Sequence, residues 1–98
     1  MQAKIVSINE NNNFQDPQID VIVHYIDDRF PNDDRLSPGT RQFIFTLPHE
    51  KYSTLTKTEL SEMIRAQGIE FDKVLAREVE KIEKAQELKP LEGLEITI

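Results

Sequence analysis

The chain has 98 residues, of which 38% are hydrophobic and 31% are charged, and its formal net charge is −6. This length predicts a single domain over residues 1–98, and the lack of cysteine excludes disulfides and thiolate metal sites. Residues 1–55 and 56–98 each have a net charge of −3, so neither half offers a basic patch for a nucleic-acid backbone. The chain shows no signal-peptide pattern and no apolar stretch of membrane-spanning length, and we therefore expect a soluble protein made in the cytoplasm.

The first half of the chain predicts three strands. Residues 3–9 are rich in β-branched side chains and run into a polar, turn-forming cluster at residues 10–13. Alternation is strongest in residues 19–26, where one face consists of Ile19, Val21, Val23 and Tyr25. A third alternating run, residues 42–47, ends at Pro48, and we expect it to pair antiparallel with the second strand.

The second half predicts a helix. Residues 56–59, Thr-Lys-Thr-Glu, match a capping box, in which the Thr56 hydroxyl and the Glu59 carboxylate each satisfy a free backbone N–H, so a helix should begin at Lys57. Apolar residues then recur at helical spacing until Pro90, which cannot continue a helix.

Gly68 lies between the two halves of this apolar stripe and leaves two interpretations open. A continuous helix over residues 57–88 would be about 48 Å long and would overhang its own sheet, so that the overhanging half would be an interaction surface. A break at Gly68 would match the longer piece to a strand and would bring Ile64 and Ile69 together in a Schellman motif. We favour the break.

The last alternating run, residues 94–98, predicts a final strand. The expected fold is therefore α+β. It consists of a small antiparallel sheet, with elements in the order β-β-β-α-α-β, packed against a helix that is broken or kinked near Gly68.

The long segment at residues 27–41 is the one part of the chain that packing does not explain. Residues 37–40, Ser-Pro-Gly-Thr, fit a type II turn with a positive φ at glycine. Because arginine and apolar side chains anchor many interfaces, we predict an interaction site at Arg29, Phe30, Arg35 and Leu36. The alternative for Phe30 is that it packs onto its own sheet.

The same segment is rich in oxygen ligands, namely Asp27, Asp28, Asn32, Asp33 and Asp34. Their spacing is not that of an EF-hand, and the glycine required for its sharp turn is missing, so we predict no metal site.

No set of residues predicts catalysis. His24 and His49 are the only imidazoles, and they show neither metal-ligand spacing nor a nearby nucleophile. Asp20 shares a strand face with His24 but lies about 13 Å along it, too far to orient it as a base. Phosphate-binding glycine motifs are also missing, so we predict no catalytic residue, no cofactor and no enzymatic activity.

The chain resembles small structural-operon proteins of tailed bacteriophages and prophages. The resemblance extends over the whole chain and rests on general features rather than on a diagnostic motif. These features are the acidic, cysteine-free composition, the helix-forming sequence from Lys57-Thr58-Glu59-Leu60 to Lys81-Ile82-Glu83-Lys84, and the C-terminal sequence Leu91-Glu92-Gly93-Leu94-Glu95-Ile96-Thr97-Ile98. It implies a non-enzymatic component of a virion, tail or assembly complex, whose loops and termini contact neighbouring subunits.

Two functional hypotheses follow. The first is a structural or adaptor protein that acts through protein–protein contacts in a homo-oligomer or a larger assembly, without direct contact to nucleic acid or membrane. The second is a small acidic inhibitor or regulator whose carboxylates imitate a nucleic-acid backbone for a basic target protein.

Overall fold

A computed structural model of the protein describes residues 1–11 and 15–98. Three antiparallel strands form one sheet in the order β1-β2-β3, which confirms the α+β class and the antiparallel pairing of the second and third strands. The predicted loop after the first strand falls partly on residues 12–14, which lie outside the described residues. The strands are β1 (Gln2–Asn11), β2 (Gln18–Ile26) and β3 (Thr40–Pro48).

The helical part contains a short helix α1 (His49–Tyr52), a long helix α2 (Lys57–Leu88) and a 3₁₀ turn (Lys89–Leu91). The predicted start of the long helix is confirmed, because the Glu59 backbone N–H donates to Thr56 Oγ1 at 3.2 Å. The long helix ends two residues before Pro90, as the sequence predicts.

The core lies between α2 and one face of the sheet. Val21, Val23 and Tyr25 of the central strand are fully buried there, and Leu75 is the buried residue of α2. Phe71 is the centre of an aromatic cluster, with its ring centroid 5.1 Å from that of Tyr25, 5.7 Å from Phe30 and 6.0 Å from Phe43. Edge-on aromatic contacts of this kind add specific packing energy to the burial of apolar surface.

The predicted break at Gly68 is wrong, because α2 runs without interruption from Lys57 to Leu88. Tyr25 donates from its hydroxyl to the Ile64 carbonyl at 2.7 Å, and a Cβ placed on Gly68 would lie only 3.3 Å from Cε1 of the Tyr25 ring. Gly68 therefore allows the helix to lie close to the sheet, and it does not end the helix. A glycine inside a helix costs only about 1 kcal/mol relative to alanine, so it does not force a break.

The continuous helix extends far beyond the sheet. The molecule measures 66 × 32 × 25 Å and its radius of gyration is 19.8 Å, against about 13 Å for a compact domain of this length. Every residue from 76 to 98 is exposed.

The predicted final strand is also wrong, since residues 94–98 form neither strand nor helix. The helix carries these residues about 20 Å past Leu75, where α2 last contacts the core. A strand must lie within about 5 Å of its neighbour to pair with it, and the three-stranded sheet includes no residue of this segment.

We expect Gly68→Leu to destabilise the protein by about 1–3 kcal/mol, because the new side chain would overlap the Tyr25 ring. Ala66→Leu is the matched control, since residue 66 is exposed on the same helix and should tolerate leucine without loss. Urea denaturation measures both variants. Equal stability of the two would contradict the close contact at Gly68.

Burial raises the pKa of Tyr25 to about 12. The neutral phenol is therefore favoured in the folded protein, and this contribution is complete below pH ~10 and lost as the pH rises from about 10 to about 12. We expect Tyr25→Phe to cost about 1 kcal/mol at neutral pH through loss of the bond to Ile64.

The same variant should lack the part of the alkaline destabilisation that comes from Tyr25. Urea unfolding of both proteins at about pH 9 and about pH 11 would show the difference between them shrinking at the higher pH. A constant difference would mean that the pKa of the Tyr25 phenol is the same in the folded and the unfolded state.

Candidate protein-interaction site

The segment between β2 and β3 contains the same four-residue pattern twice, a feature that the sequence analysis missed. Asp27-Asp28-Arg29-Phe30 is the first motif and Asp33-Asp34-Arg35-Leu36 is the second motif, each reading Asp-Asp-Arg followed by an apolar residue. The repeat at six-residue spacing is visible in the sequence and could have been found there.

The two motifs fold alike. In the first, the backbone N–H and Nε of Arg29 donate to Asp27 Oδ1 at 3.0 and 2.9 Å, and Nη2 donates to Oδ2 at 3.0 Å. In the second, the corresponding bonds from Arg35 to Asp33 measure 3.0, 3.2 and 3.0 Å. Each aspartate thus orients the arginine two residues later through a bidentate, charge-assisted contact.

A glycine closes the base of this segment. The Asp27 N–H donates to the Gly39 carbonyl at 2.8 Å, and Gly39 has the positive φ, +70°, that the predicted turn requires. A Cβ at this position would lie 3.0 Å from the Asp27 carbonyl oxygen, so only glycine fits without a shift of the backbone.

The first motif faces the protein's own helix. Arg29 Nη2 donates to Asp72 Oδ1 at 2.5 Å, and Phe30, 7% exposed, packs edge-on against Phe71. Phe30 is therefore buried within its own domain, in contact with α2. The hydrogen bonds from Arg29 hold the pKa of the Asp27 carboxyl well below its usual range.

The second motif faces outward. The Arg35 side chain is 88% exposed and, in the described part of the chain, its guanidinium pairs with Asp33 alone. Leu36 is half-buried. The hydrogen bonds from Arg35 lower the pKa of the Asp33 carboxyl, so this ion pair is formed at neutral pH. Arg35 and Leu36 are thus available at the surface, whereas Arg29 and Phe30 are already engaged.

A groove of about 810 Å³ separates the second motif from the helix. We call it the loop–helix groove. Its floor is largely apolar, because Phe30, Phe71 and Leu75 come from the core cluster, and Glu78 lies on its wall together with Arg35. Val74, which also lines the groove, is 53% exposed.

The part of α2 beyond the core, residues 76–88, we call the helix arm. Val79 and Ile82 continue the same helical stripe as Phe71 and Leu75, yet they are 41% and 53% exposed. The arm contains three basic and four acidic residues, so it is close to neutral in an acidic protein. Its apolar stripe has the pattern of a packing surface, and its apolar residues are only partly covered.

The other residues considered in the sequence do not converge. Among the described residues, no group of three side chains is arranged to hold a metal ion, and the carboxylates of Asp27 and Asp33 are bound to arginine. His24 Nε2 lies 3.0 Å from Gln42 Oε1 on the outer face of the sheet, and the His49 ring packs edge-on against Tyr52.

In residues 1–11 and 15–98, no helix combines the length and the apolarity needed to cross a bilayer. No protein-family model matches the chain, and comparison with curated proteins and with solved structures gave no match.

We expect Arg29→Gln to lower the thermal midpoint at pH 7, because it removes the contacts with both Asp27 and Asp72. Since the pKa of Asp27 is depressed in the folded protein, the stabilising pair is present above pH ~4 and is lost as the pH falls below that value. The difference between the two proteins should therefore narrow in acid.

Arg35→Gln is the matched control, because it removes the equivalent arginine from the motif that does not contact the helix. Calorimetry over a range of pH should show no comparable change for this variant. Equal losses from the two substitutions would contradict the different roles of the two motifs.

Proposed function

We propose that the protein is a non-enzymatic structural or adaptor protein that acts through protein–protein contacts. The observation that supports this most directly is the helix arm, whose apolar residues continue the core stripe into solvent. Full burial of a valine or isoleucine side chain stabilises by roughly 1.5–3 kcal/mol relative to exposure, and roughly half of that free energy is unused at Val79 and Ile82, which are 41% and 53% exposed. A partner packed on the arm would supply it.

The assembly that we propose is a larger complex of virion, tail or assembly-factor type. The resemblance of the chain to structural-operon proteins of tailed bacteriophages supports this setting. A small sheet domain with a projecting helix suits such a role, because its one compact end can hold the arm at a fixed angle to neighbouring subunits.

The alternative, an acidic inhibitor that imitates a nucleic-acid backbone, has less support. Such a mimic needs an array of unpaired carboxylates, whereas many acidic groups of this protein bind a basic neighbour. Of the 18 acidic residues, those with a basic neighbour in the described part of the chain include Asp27, Asp33, Glu70, Asp72, Glu78 and Glu87.

We expect the double variant Val79→Ser/Ile82→Ser to lose assembly while keeping its fold, because both side chains are exposed in the isolated chain. Sedimentation velocity over a wide range of concentration measures self-association, and crosslinking in the cells that produce the protein measures association with other proteins. Circular dichroism checks that the fold is unchanged.

Ile44→Ser is the control for that experiment, since Ile44 is similarly exposed but lies on the sheet rather than on the arm. It should assemble like the unmodified protein. A chain that remains monomeric at all concentrations and crosslinks to nothing would overturn the proposed function.

A further inference from the structure

The helix repeats the feature that receives the first motif. Phe71-Asp72 binds Phe30 and Arg29, and Ile82-Glu83 again places an apolar residue directly before an acidic one. The second pair lies eleven residues further along α2. At 100° per residue this spacing is within about 20° of three full turns, so both pairs lie on the same side of the helix.

Neither Arg35 of the second loop motif nor Glu83 of the second helix pair forms an ion pair between loop and helix among the described residues. Ile82 is half exposed, and Glu83 is exposed and forms no ion pair with the described residues. Arg35 is held in the same bidentate geometry as Arg29, but among the described residues its guanidinium pairs with Asp33 alone and with no acid of the helix. One loop motif and one helix pair are joined within the chain, whereas no ion pair joins the second of each in residues 1–11 and 15–98.

Within a single molecule, Arg35 of the second motif and Glu83 of the helix arm are not placed to bind each other. Arg35 lines the loop–helix groove on the side of Val74 and Glu78. Glu83 follows Glu78 by five residues, which places it about 140° around the helix axis, on the opposite flank of the stripe. The chain's own Glu83 is therefore directed away from its own second motif.

We propose that the second motif docks onto Ile82-Glu83 of a second copy of this chain. Arg35 would bind the partner's Glu83 as Arg29 binds Asp72, and Leu36 would pack on the partner's Ile82 as Phe30 packs on Phe71. The charges are complementary, and the docked first motif supplies the geometry for the contact. This inference rests on the proposed function, since it names the partner as another copy.

The contact joins two different surfaces. It either closes reciprocally into a dimer or repeats head to tail into a chain of copies, and both arrangements pair the Arg35 of one copy with the Glu83 of a neighbour. In both, the exposed apolar stripe of the helix arm is brought against the loop of another copy.

Charge exchange tests the contact. Arg35→Glu and Glu83→Arg should each weaken self-association about tenfold or more, because each places like charges opposite one another. Mixing the two variants, or combining both substitutions in one chain, should restore association, since every contact then again joins opposite charges. Sedimentation velocity measures all five samples, including the unmodified protein.

Lys84→Glu is the matched control. This substitution changes the net charge of the chain by the same amount as Arg35→Glu. It lies at an exposed residue that immediately follows Glu83, and it should leave association unchanged. Circular dichroism and the thermal midpoint verify that each variant is folded, which we expect because all three side chains are exposed.

Four results would overturn the inference. Association that is insensitive to both single substitutions, or single substitutions that mixing does not rescue, would place the self-contact elsewhere and leave the proposed function intact. An unmodified protein that is monomeric alone but crosslinks to a different protein would also leave that function intact. An unmodified protein that neither self-associates nor crosslinks to another protein would contradict both this inference and the proposed function.

Discussion

The contact between Tyr25 and the long helix sets the arrangement of the whole molecule. The ring occupies the space left by the missing side chain of Gly68, and its hydroxyl donates to the carbonyl of Ile64. This contact fixes both the distance and the rotation of the helix above the central strand. Because the helix is continuous there, the apolar stripe that covers the sheet at Phe71 and Leu75 extends in phase beyond the last strand residue that it can cover.

The connection between β2 and β3 depends on that placement. Its base is closed by the bond from Asp27 to Gly39, and its first motif is tied to the helix by Arg29 and Asp72. With both points fixed, the second motif has a defined position above the loop–helix groove, and the bidentate bonds to Asp33 orient its arginine. A side chain that is 88% exposed and yet held by its neighbour is preorganised for binding, because little conformational freedom remains to be lost.

The uneven distribution of burial links fold to function. Nearly all of the core lies within residues 19–75, and every residue of 76–98 is exposed. A chain this short gains only modest stability from one core. A monomer that leaves an apolar stripe in solvent therefore lacks the stabilising free energy that burial of the stripe would add. In an assembly the same stripe contributes to association. The near-neutral charge of the helix arm also reduces the repulsion that an acidic protein meets when its copies approach.

The sequence by itself determined the features that depend on neighbours along the chain. These were the alternation of residues 19–26, the cap at Thr56 and the positive φ at Gly39, each set by steric and hydrogen-bonding rules within a few residues. Only the tertiary structure decided the role of Gly68 and the state of residues 94–98. The first depends on a tyrosine distant in sequence, and the second depends on how far a continuous helix carries the chain from its sheet. Neither distance is encoded in local pattern, because packing between remote residues sets both.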